Sequence, residues 1–311
     1  MSATKVETLS QPRDSLPNAY AGADNANAVT AREIDFVSRF TDNWDALREI
    51  LGIMRPVKKT PGTQLVSYTA SVTLEDGDVD PGNVIPYSKA TVLQYTKADL
   101  TLEKYAKAVP IEDVNKYGAA IAVQKTDEAF LNELQSKVLD NFYTFLTDDD
   151  EAITSTEDTF QMGVAMAIGQ VKDKFKKMRK NASDIVLFVN TLDAYKYLGA
   201  AEITVQSAFG LDYVENFMGA RTVILSSEID EGTIIAVPSD NIVMYYADPG
   251  DSEFAQLGLN YTVDGETNLI GFHANGNYST AVGESYALMG LVLWAEYADA
   301  IAIVTVGTTS A

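Results

Sequence analysis

An alternating stretch at residues 66–74 constrains the fold more than any other part of the sequence. Apolar residues there alternate with Ser and Thr, which is the period of a β-strand. Turn-forming residues follow at 76–83, and a second extended run continues from Tyr87 to about Leu102. Two arms of about ten residues, at ~3.3 Å each, predict a hairpin over about 30 Å long. Because a two-stranded hairpin is marginally stable alone, it needs a surface to lie on, its own or another subunit's.

Apolar periodicity predicts helices on both sides of this hairpin. Residues 31–51 repeat at three- and four-residue steps, with Thr30 as the N-cap and Glu33 completing a capping box. After the hairpin, a short helical segment near residue 111 precedes a helix over residues 119–146. At 1.5 Å per residue this second helix is about 40 Å long.

Helices and strands alternate between about residues 155 and 247, which is typical of a compact α/β subdomain. Thr154 and Glu157 have the spacing of a capping box, and the apolar face of the following helix begins at Phe160. A short helix is predicted at residues 191–198. Apolar runs predict strands at residues 184–189, 222–225, 233–237 and 242–246.

Residues 287–306 have the length of a membrane span but contain Glu296 and Asp299. A carboxylate in lipid costs a few kcal/mol by insertion scales, so we predict buried strands in place of a span. These strands are expected over residues 286–294 and 301–306.

The polar arm at residues 1–30 lacks the apolar core of a secretory signal, which predicts a cytoplasmic product. Its composition suits disorder in isolation, so either a neighbouring subunit or the chain's own domain is expected to hold it.

Composition excludes several kinds of site. The 311-residue chain has no Cys and one His, which excludes a disulfide framework, a thiolate zinc site and most multi-histidine centres. Its 44 acidic and 23 basic residues give a net charge of −21, which argues against a conventional nucleic-acid ligand.

Motifs of common enzymes are missing as well. The only imidazole, His273, lies in a Gly- and Asn-rich run that is more typical of a loop than of a nucleophile elbow, and no GxSxG pattern exists. Neither a Walker A loop nor a GxGxxG motif is present. We therefore predict no catalytic residue, no cofactor and no metal, and the chain is not expected to be an enzyme.

Two charged clusters need an interpretation. Asp76, Asp78 and Asp80 take positions 1, 3 and 5 of a calcium loop, but Pro81 and Tyr87 occupy the diagnostic Gly and Glu positions, which favours a solvated hairpin tip.

A basic cluster could dock nucleic acid or an acidic partner, or its cations could simply interact favourably with the dipole at a helix end. Its members are Lys172, Lys174, Lys176, Lys177, Arg179 and Lys180.

The order of these segments resembles that of the major capsid proteins of tailed bacteriophages. A polar arm, a short helix, a long hairpin, a long helix, an α/β unit and apolar C-terminal strands follow one another in both. Residues 189–198 resemble the family's strand-then-helix signature, and residues 295–304 resemble its C-terminal return.

The resemblance implies an α+β fold with a discontinuous peripheral (P) domain and a compact α/β axial (A) domain. Its expected parts are an N-terminal arm with a short helix (1–54), an E-loop hairpin (55–99), a P domain with the spine helix (100–150 and 255–295) and an A domain (151–254 and 296–311).

The resemblance also implies a function. The chain is expected to be a structural subunit of an icosahedral shell in the virion, made in the bacterial host cytoplasm. It would self-assemble into hexamers and pentamers that enclose double-stranded DNA without sequence-specific binding. Expected partners are a portal and a possible decoration protein, with no membrane. Because the arm is short, either a separate scaffolding protein or assembly without one is expected. Alternatives are an encapsulin-like nanocompartment, another virion structural protein such as a tail or connector, and a cytoplasmic α/β enzyme.

Within this interpretation, we hypothesise that an acidic hairpin tip docks on a basic surface of the adjacent subunit. Single surface ion pairs contribute about 0–1 kcal/mol, so only their repetition over many copies would matter. The candidate acids are Glu75, Asp76, Asp78 and Asp80, and the candidate bases are Lys104, Lys107, Lys116 and the basic cluster.

Overall fold

The computed structural model describes residues 23–52, 56–79, 84–147, 152–199, 205–208, 211–250, 258–266 and 268–307. The first 22 residues of the predicted arm, the acidic linker at 148–151 and Asp80 of the predicted tip lie outside the described residues.

Within the described residues the α-helices are α1 (Ala23–Leu51), α2 (Ile111–Tyr117), α3 (Ala119–Thr147), α4 (Phe160–Lys177) and α5 (Thr191–Leu198). The strands are β1 (Val57–Lys58), β2 (Gln64–Thr73), β3 (Lys89–Asp99), β4 (Glu103–Pro110), β5 (Ile153–Glu157), β6 (Ile185–Asn190), β7 (Gln206–Ala208), β8 (Leu211–Glu215), β9 (Thr222–Ser226), β10 (Thr233–Pro238), β11 (Ile242–Tyr246), β12 (Ile270–Asn277), β13 (Val282–Met289), β14 (Leu291–Ala295) and β15 (Ala302–Val306). Short 3₁₀ turns occupy Ser239–Asn241 and Ala298–Ala300.

A mixed seven-stranded sheet separates two layers of helices. Its strand order is β5-β15-β10-β6-β9-β8-β7, with parallel pairs at β5/β15 and β6/β9. Alternate residues of β6 point to opposite faces, as the strand period requires. Val186 and Phe188 join the core that contains α1 and α3, whereas Leu187 and Val189 join the core beneath α4 and α5.

The predicted helix at 31–51 is longer than expected. Helix α1 begins at Ala23, so Thr30 lies inside it and is not its N-cap. The apolar stripe behaves as predicted, because Phe36, Phe40 and Trp44 are fully buried.

The predicted capping box at Thr154 and Glu157 is wrong. Both residues belong to β5, which pairs in parallel with β15. Helix α4 begins at Phe160, and its N-cap is Thr159, whose Oγ1 accepts a hydrogen bond from the Met162 N–H at 3.3 Å. The hydroxyl of Thr159 therefore caps α4 without the predicted capping box.

An antiparallel sheet of order β12-β13-β4 packs against α1. The run around His273, predicted as a loop, is strand β12. The predicted strand at 286–294 is two strands, β13 and β14, separated by Gly290. A Cβ at Gly290 would lie 2.9 Å from Ala247 Cβ. Glycine at this position therefore allows the backbone to approach Ala247 closely.

A third sheet joins β1, β11 and β14 in that order. The predicted strand at 242–246 is part of this sheet and not of the seven-stranded one, and it pairs with β14 from Ile242↔Ala295 to Tyr246↔Leu291.

Strands β2 and β3 form the predicted long hairpin. Their antiparallel register runs from Gln64↔Asp99 to Thr73↔Lys89, with a bulge between Leu65 and Val66. At its base Leu65 and Leu100 are buried, which anchors the hairpin in the body of the protein.

Candidate assembly surfaces

The far end of the hairpin presents large apolar side chains to solvent. Val84 is 86% exposed and Tyr87 is 95% exposed, and Ile85 lies between them; we call these three residues the apolar tip. Along the strands, Tyr68, Val72 and Val92 are also exposed. The exposed apolar side chains make this end of the hairpin a candidate protein interaction site.

The acids predicted at the tip lie beside these apolar residues. Glu75, Asp76 and Asp78, which we call the acidic tip, are all exposed. Asp76 Oδ1 accepts a hydrogen bond from the Asp78 N–H at 3.0 Å, which is local turn chemistry. The hairpin end is thus both apolar and acidic, and the apolar part had no role in the docking hypothesis made from the sequence.

Two of the three isolated basic candidates remain exposed. Lys104 on β4 and Lys116 on α2 face solvent, and the Lys116 ammonium lies 4.8 Å from the ring centre of Tyr117. Lys107 already has a partner in its own chain, because its Nζ lies 2.5 Å from Asp127 Oδ1. It is therefore a poor candidate for a contact with another subunit.

An apolar pocket of about 360 Å³ lies where β4 leads into α2, the helix that carries Lys116. Val109, Ile111 and Val114 line it from one side, and Val282 and the exposed Tyr278 line it from the other.

The basic cluster spans the last turns of α4 and the residues after it. Three of its six members have partners within the chain. Lys174 Nζ lies 2.9 Å from Asp299 Oδ2, and Lys177 Nζ lies 2.6 Å from Asp173 Oδ2. Lys180 donates a hydrogen bond to the Tyr297 hydroxyl. The other three members, Lys172, Lys176 and Arg179, are exposed.

A polar network that the sequence did not reveal fixes α1 to the rest of the protein. Arg32 Nε and Nη2 lie 2.6 and 2.7 Å from the two oxygens of Asp127 on α3, and Nη2 donates to Ser285 Oγ at 2.9 Å. On the next residue, Glu33 Oε1 accepts from the Ala274 N–H at 2.6 Å, and Oε2 accepts from Thr262 Oγ1 at 2.7 Å. Glu33 thus binds β12 and is not part of a capping box.

Burial and charge act in opposite directions on the pKa of Asp127. Burial alone raises the pKa of this carboxyl, but hydrogen bonds from Arg32 and Lys107 outweigh burial and lower the pKa below 3.8. For Lys107, burial outweighs the attraction of Asp127 and lowers the pKa below 10.5. The lowered pKa keeps the Asp127 carboxyl ionised near neutral pH.

His273 is exposed on β12, and its Nδ1 lies 3.3 Å from Glu33 Oε1. Among the described residues, no group of three or more His, Asp or Glu side chains is placed to hold a metal ion. In the same residues, no helix is both long and apolar enough to span a bilayer.

No protein-family model and no curated protein matches this sequence. Solved structures do match. A chain of Mycobacterium phage Patience is 9% identical with a TM-score of 0.51, over 94% of this chain and 91% of that one. A chain of the cyanophage A-1(L) capsid asymmetric unit is 12% identical with a TM-score of 0.51, over 84% of this chain and 92% of that one. The protein has the tailed-phage capsid fold.

The capsid fold confirms the α+β class and the architecture expected from the order of segments. Identities this low establish the fold alone. The holo-SrpI encapsulin complex from Synechococcus elongatus PCC 7942 is 13% identical with a TM-score of 0.46, over 85% of this chain and 89% of that one.

Proposed function

We propose that the protein is the structural subunit of an icosahedral tailed-phage capsid shell and assembles with its own copies into hexamers and pentamers. The observation that carries this proposal is the long hairpin, whose apolar tip is exposed and has no core of its own. In a ring or shell, each copy can bury this end on the next copy through a heterologous interface. The capsid fold supports the proposal.

Within this fold we propose the division into arm, hairpin, P domain and A domain that the sequence predicts. The seven-stranded sheet with α4 and α5 supports the A domain, and the sheet β12-β13-β4 with α3 supports the P domain. The small sheet β1-β11-β14 joins the base of the hairpin to both, through the pairing of Val57 with Tyr245.

For the docking step, we propose that the apolar tip enters the pocket between Val109, Ile111 and Val114 on a neighbouring copy. Full burial of a large apolar side chain contributes about 1.5–3 kcal/mol, whereas a surface ion pair contributes about 0–1 kcal/mol. The apolar tip therefore supplies most of the binding free energy. The acidic tip, beside Lys104 and Lys116 of the neighbour, sets the orientation.

The charge of the chain suits a container for DNA. A net charge of −21 gives a wall that does not hold phosphates, so double-stranded DNA can be the content of the shell without being its ligand. In this proposal the protein is not an enzyme. It is located in the virion capsid after assembly in the host cytoplasm, with a scaffolding protein, a portal and a possible decoration protein as further partners.

Electron microscopy of the purified protein tests the proposal. We expect icosahedral particles, rings or tubes. A stable monomer or dimer at micromolar concentration would contradict it. The content of native particles distinguishes the proposed shell from the encapsulin-like alternative. Double-stranded DNA indicates a phage shell, and protein cargo indicates an encapsulin-like compartment.

A further inference from the structure

Helix α4 carries an exposed apolar face that the shell contacts proposed above do not use. Its buried residues, including Val164, Val171 and Phe175, pack on the seven-stranded sheet. On the opposite side, Met162 is 51% exposed and Met166 is 41% exposed, with Ala165 exposed between them. These residues recur at three- and four-residue steps and therefore form one stripe along the helix.

The same stripe becomes basic toward the end of the helix. Lys176 lies on it and Lys172 lies at its edge. Asp173 is on the same stripe but is paired with Lys177, and Arg179 follows just beyond the helix. Within the part of the chain that the structure describes, none of Lys172, Lys176 and Arg179 forms an ion pair, unlike Lys174 and Lys177. The distance from Met162 to Lys176 along the axis is about 21 Å at 1.5 Å per residue.

We propose that this face of α4 is the docking site of an acidic amphipathic helix from a partner protein. Its apolar side chains pack on Met162, Ala165 and Met166, and its carboxylates pair with Lys172 and Lys176. Exposed methionines suit such a site, because their flexible thioethers adapt to the partner's side chains.

Charge complementarity decides the chemistry of the partner. The chain has a net charge of −21, so an acidic partner is repelled by much of its charge and attracted to the face that carries Lys172, Lys176 and Arg179. A nucleic acid would use the cations but has no need of the methionine stripe. The partner is therefore a protein helix that carries both apolar and acidic residues.

A designed peptide tests the site on the full-length, unassembled chain. The probe is a helix of about 20 residues made of Leu, Ala and Glu, with Leu at three- and four-residue steps. Its controls are a scrambled peptide that lacks the stripe and a peptide with Lys in place of Glu. We expect binding, measured by fluorescence anisotropy, of the acidic amphipathic peptide alone, with affinity that falls as salt increases.

Two double variants should each weaken binding at least tenfold: Met162→Glu with Met166→Glu, and Lys172→Glu with Lys176→Glu. For the lysine variant the matched control is Lys125→Glu with Lys137→Glu on α3, which changes the net charge equally and should leave affinity within twofold. Circular dichroism of each variant verifies the fold. Absence of peptide binding, or equal loss in the control, overturns the proposal.

Two further outcomes would assign the face to another occupant. Binding of a double-stranded DNA oligonucleotide that the lysine variant loses and the methionine variant keeps would indicate a nucleic-acid site. Peroxide footprinting tests whether a second copy of the chain covers the face. Met218, which is also exposed, is the internal reference. Protection of Met162 and Met166 in particles formed by this chain alone would show that a second copy covers the face. Either result overturns the proposal.

Discussion

Arg32 and Asp127 form a bidentate ion pair that joins α1 to α3, with N–O distances of 2.6 and 2.7 Å. Lys107 of β4 contacts the same carboxylate at 2.5 Å, and Ser285 of β13 accepts from the same guanidinium at 2.9 Å. One buried carboxylate therefore holds together the helix that follows the arm, the long helix and the three-stranded sheet. Of these elements, the three-stranded sheet also carries residues that line the proposed hairpin pocket, among them Val109 and Val282.

Replacement of Asp127 should destabilise the subunit strongly. In Asp127→Asn, Arg32 and Lys107 lose a shared, largely buried counter-charge, so the free energy of unfolding should fall by about 3 kcal/mol. Urea denaturation of the unassembled subunit measures this change in the free energy of unfolding. Asp173→Asn is the control, because the ion pair of Asp173 with Lys177 is exposed and should contribute less than about 1 kcal/mol. Equal losses in the two variants would show that the network has no special role.

The same carboxylate should make stability depend on acid pH. Its pKa is lowered in the folded state, so its stabilising contribution is complete above the unfolded value near 3.8 and is lost as pH falls through the folded value. The lowered pKa of Lys107 has a separate effect, because it makes stability rise as pH increases toward the unfolded value of 10.5. We expect the stability difference between wild type and Asp127→Asn to be constant from about pH 5 to neutral pH and to shrink below about pH 4. Denaturation curves across this range measure the difference, and one that grows on acidification would contradict the assignment.

Local periodicity explains which parts of the fold could be predicted. The hairpin, α3 and the buried face of α4 follow from patterns within a few residues of one another. The partners of Arg32 and Glu33 are 95 and 241 residues away in the chain, and no local pattern encodes such a pairing. Glu33 also has the spacing of a capping box with Thr30, so a local interpretation of it was available and wrong.

Strand β12 was mistaken for a loop for a different reason. Gly271, Asn275 and Gly276 have the composition of a turn, but β13 supplies the pairing that makes this segment a strand. Such pairing outweighs local propensity. The apolar tip was also missed, because Val84 and Ile85 lie between turn residues and carry no periodic signal.

Gly271 should tolerate no side chain. A Cβ there would lie 2.8 Å from both Pro249 Cβ and Tyr261 Cβ, atoms next to the backbone that cannot move independently of it. Gly271→Ala should therefore lower the free energy of unfolding by about 1–3 kcal/mol or more through overpacking. Gly276→Ala on the same strand is the control, since no atom lies within 4 Å of its Cβ position and Ala there should be neutral or slightly stabilising. Thermal unfolding compares the two, and equal melting temperatures would refute the overpacking argument.

The hairpin end allows the apolar and electrostatic parts of assembly to be separated. Replacement of the apolar tip, by Val84→Ser with Ile85→Ser and Tyr87→Ser, should abolish particles at concentrations where the wild type assembles. It should leave the unfolding of the isolated subunit unchanged, because these side chains contact solvent there. Light scattering and electron microscopy measure assembly, and urea denaturation verifies the subunit.

Reversal of the acidic tip, by Glu75→Lys with Asp76→Lys and Asp78→Lys, should have a smaller effect. Each exposed pair contributes about 0–1 kcal/mol and is screened by salt, so assembly should weaken at low ionic strength and recover toward that of the wild type as salt rises. Apolar burial is not screened, so the apolar-tip variant should not recover. If the charge reversal instead abolishes assembly at every salt concentration while the serine variant assembles normally, the hairpin docks through its carboxylates, and the apolar pocket where β4 leads into α2 is not its receptor.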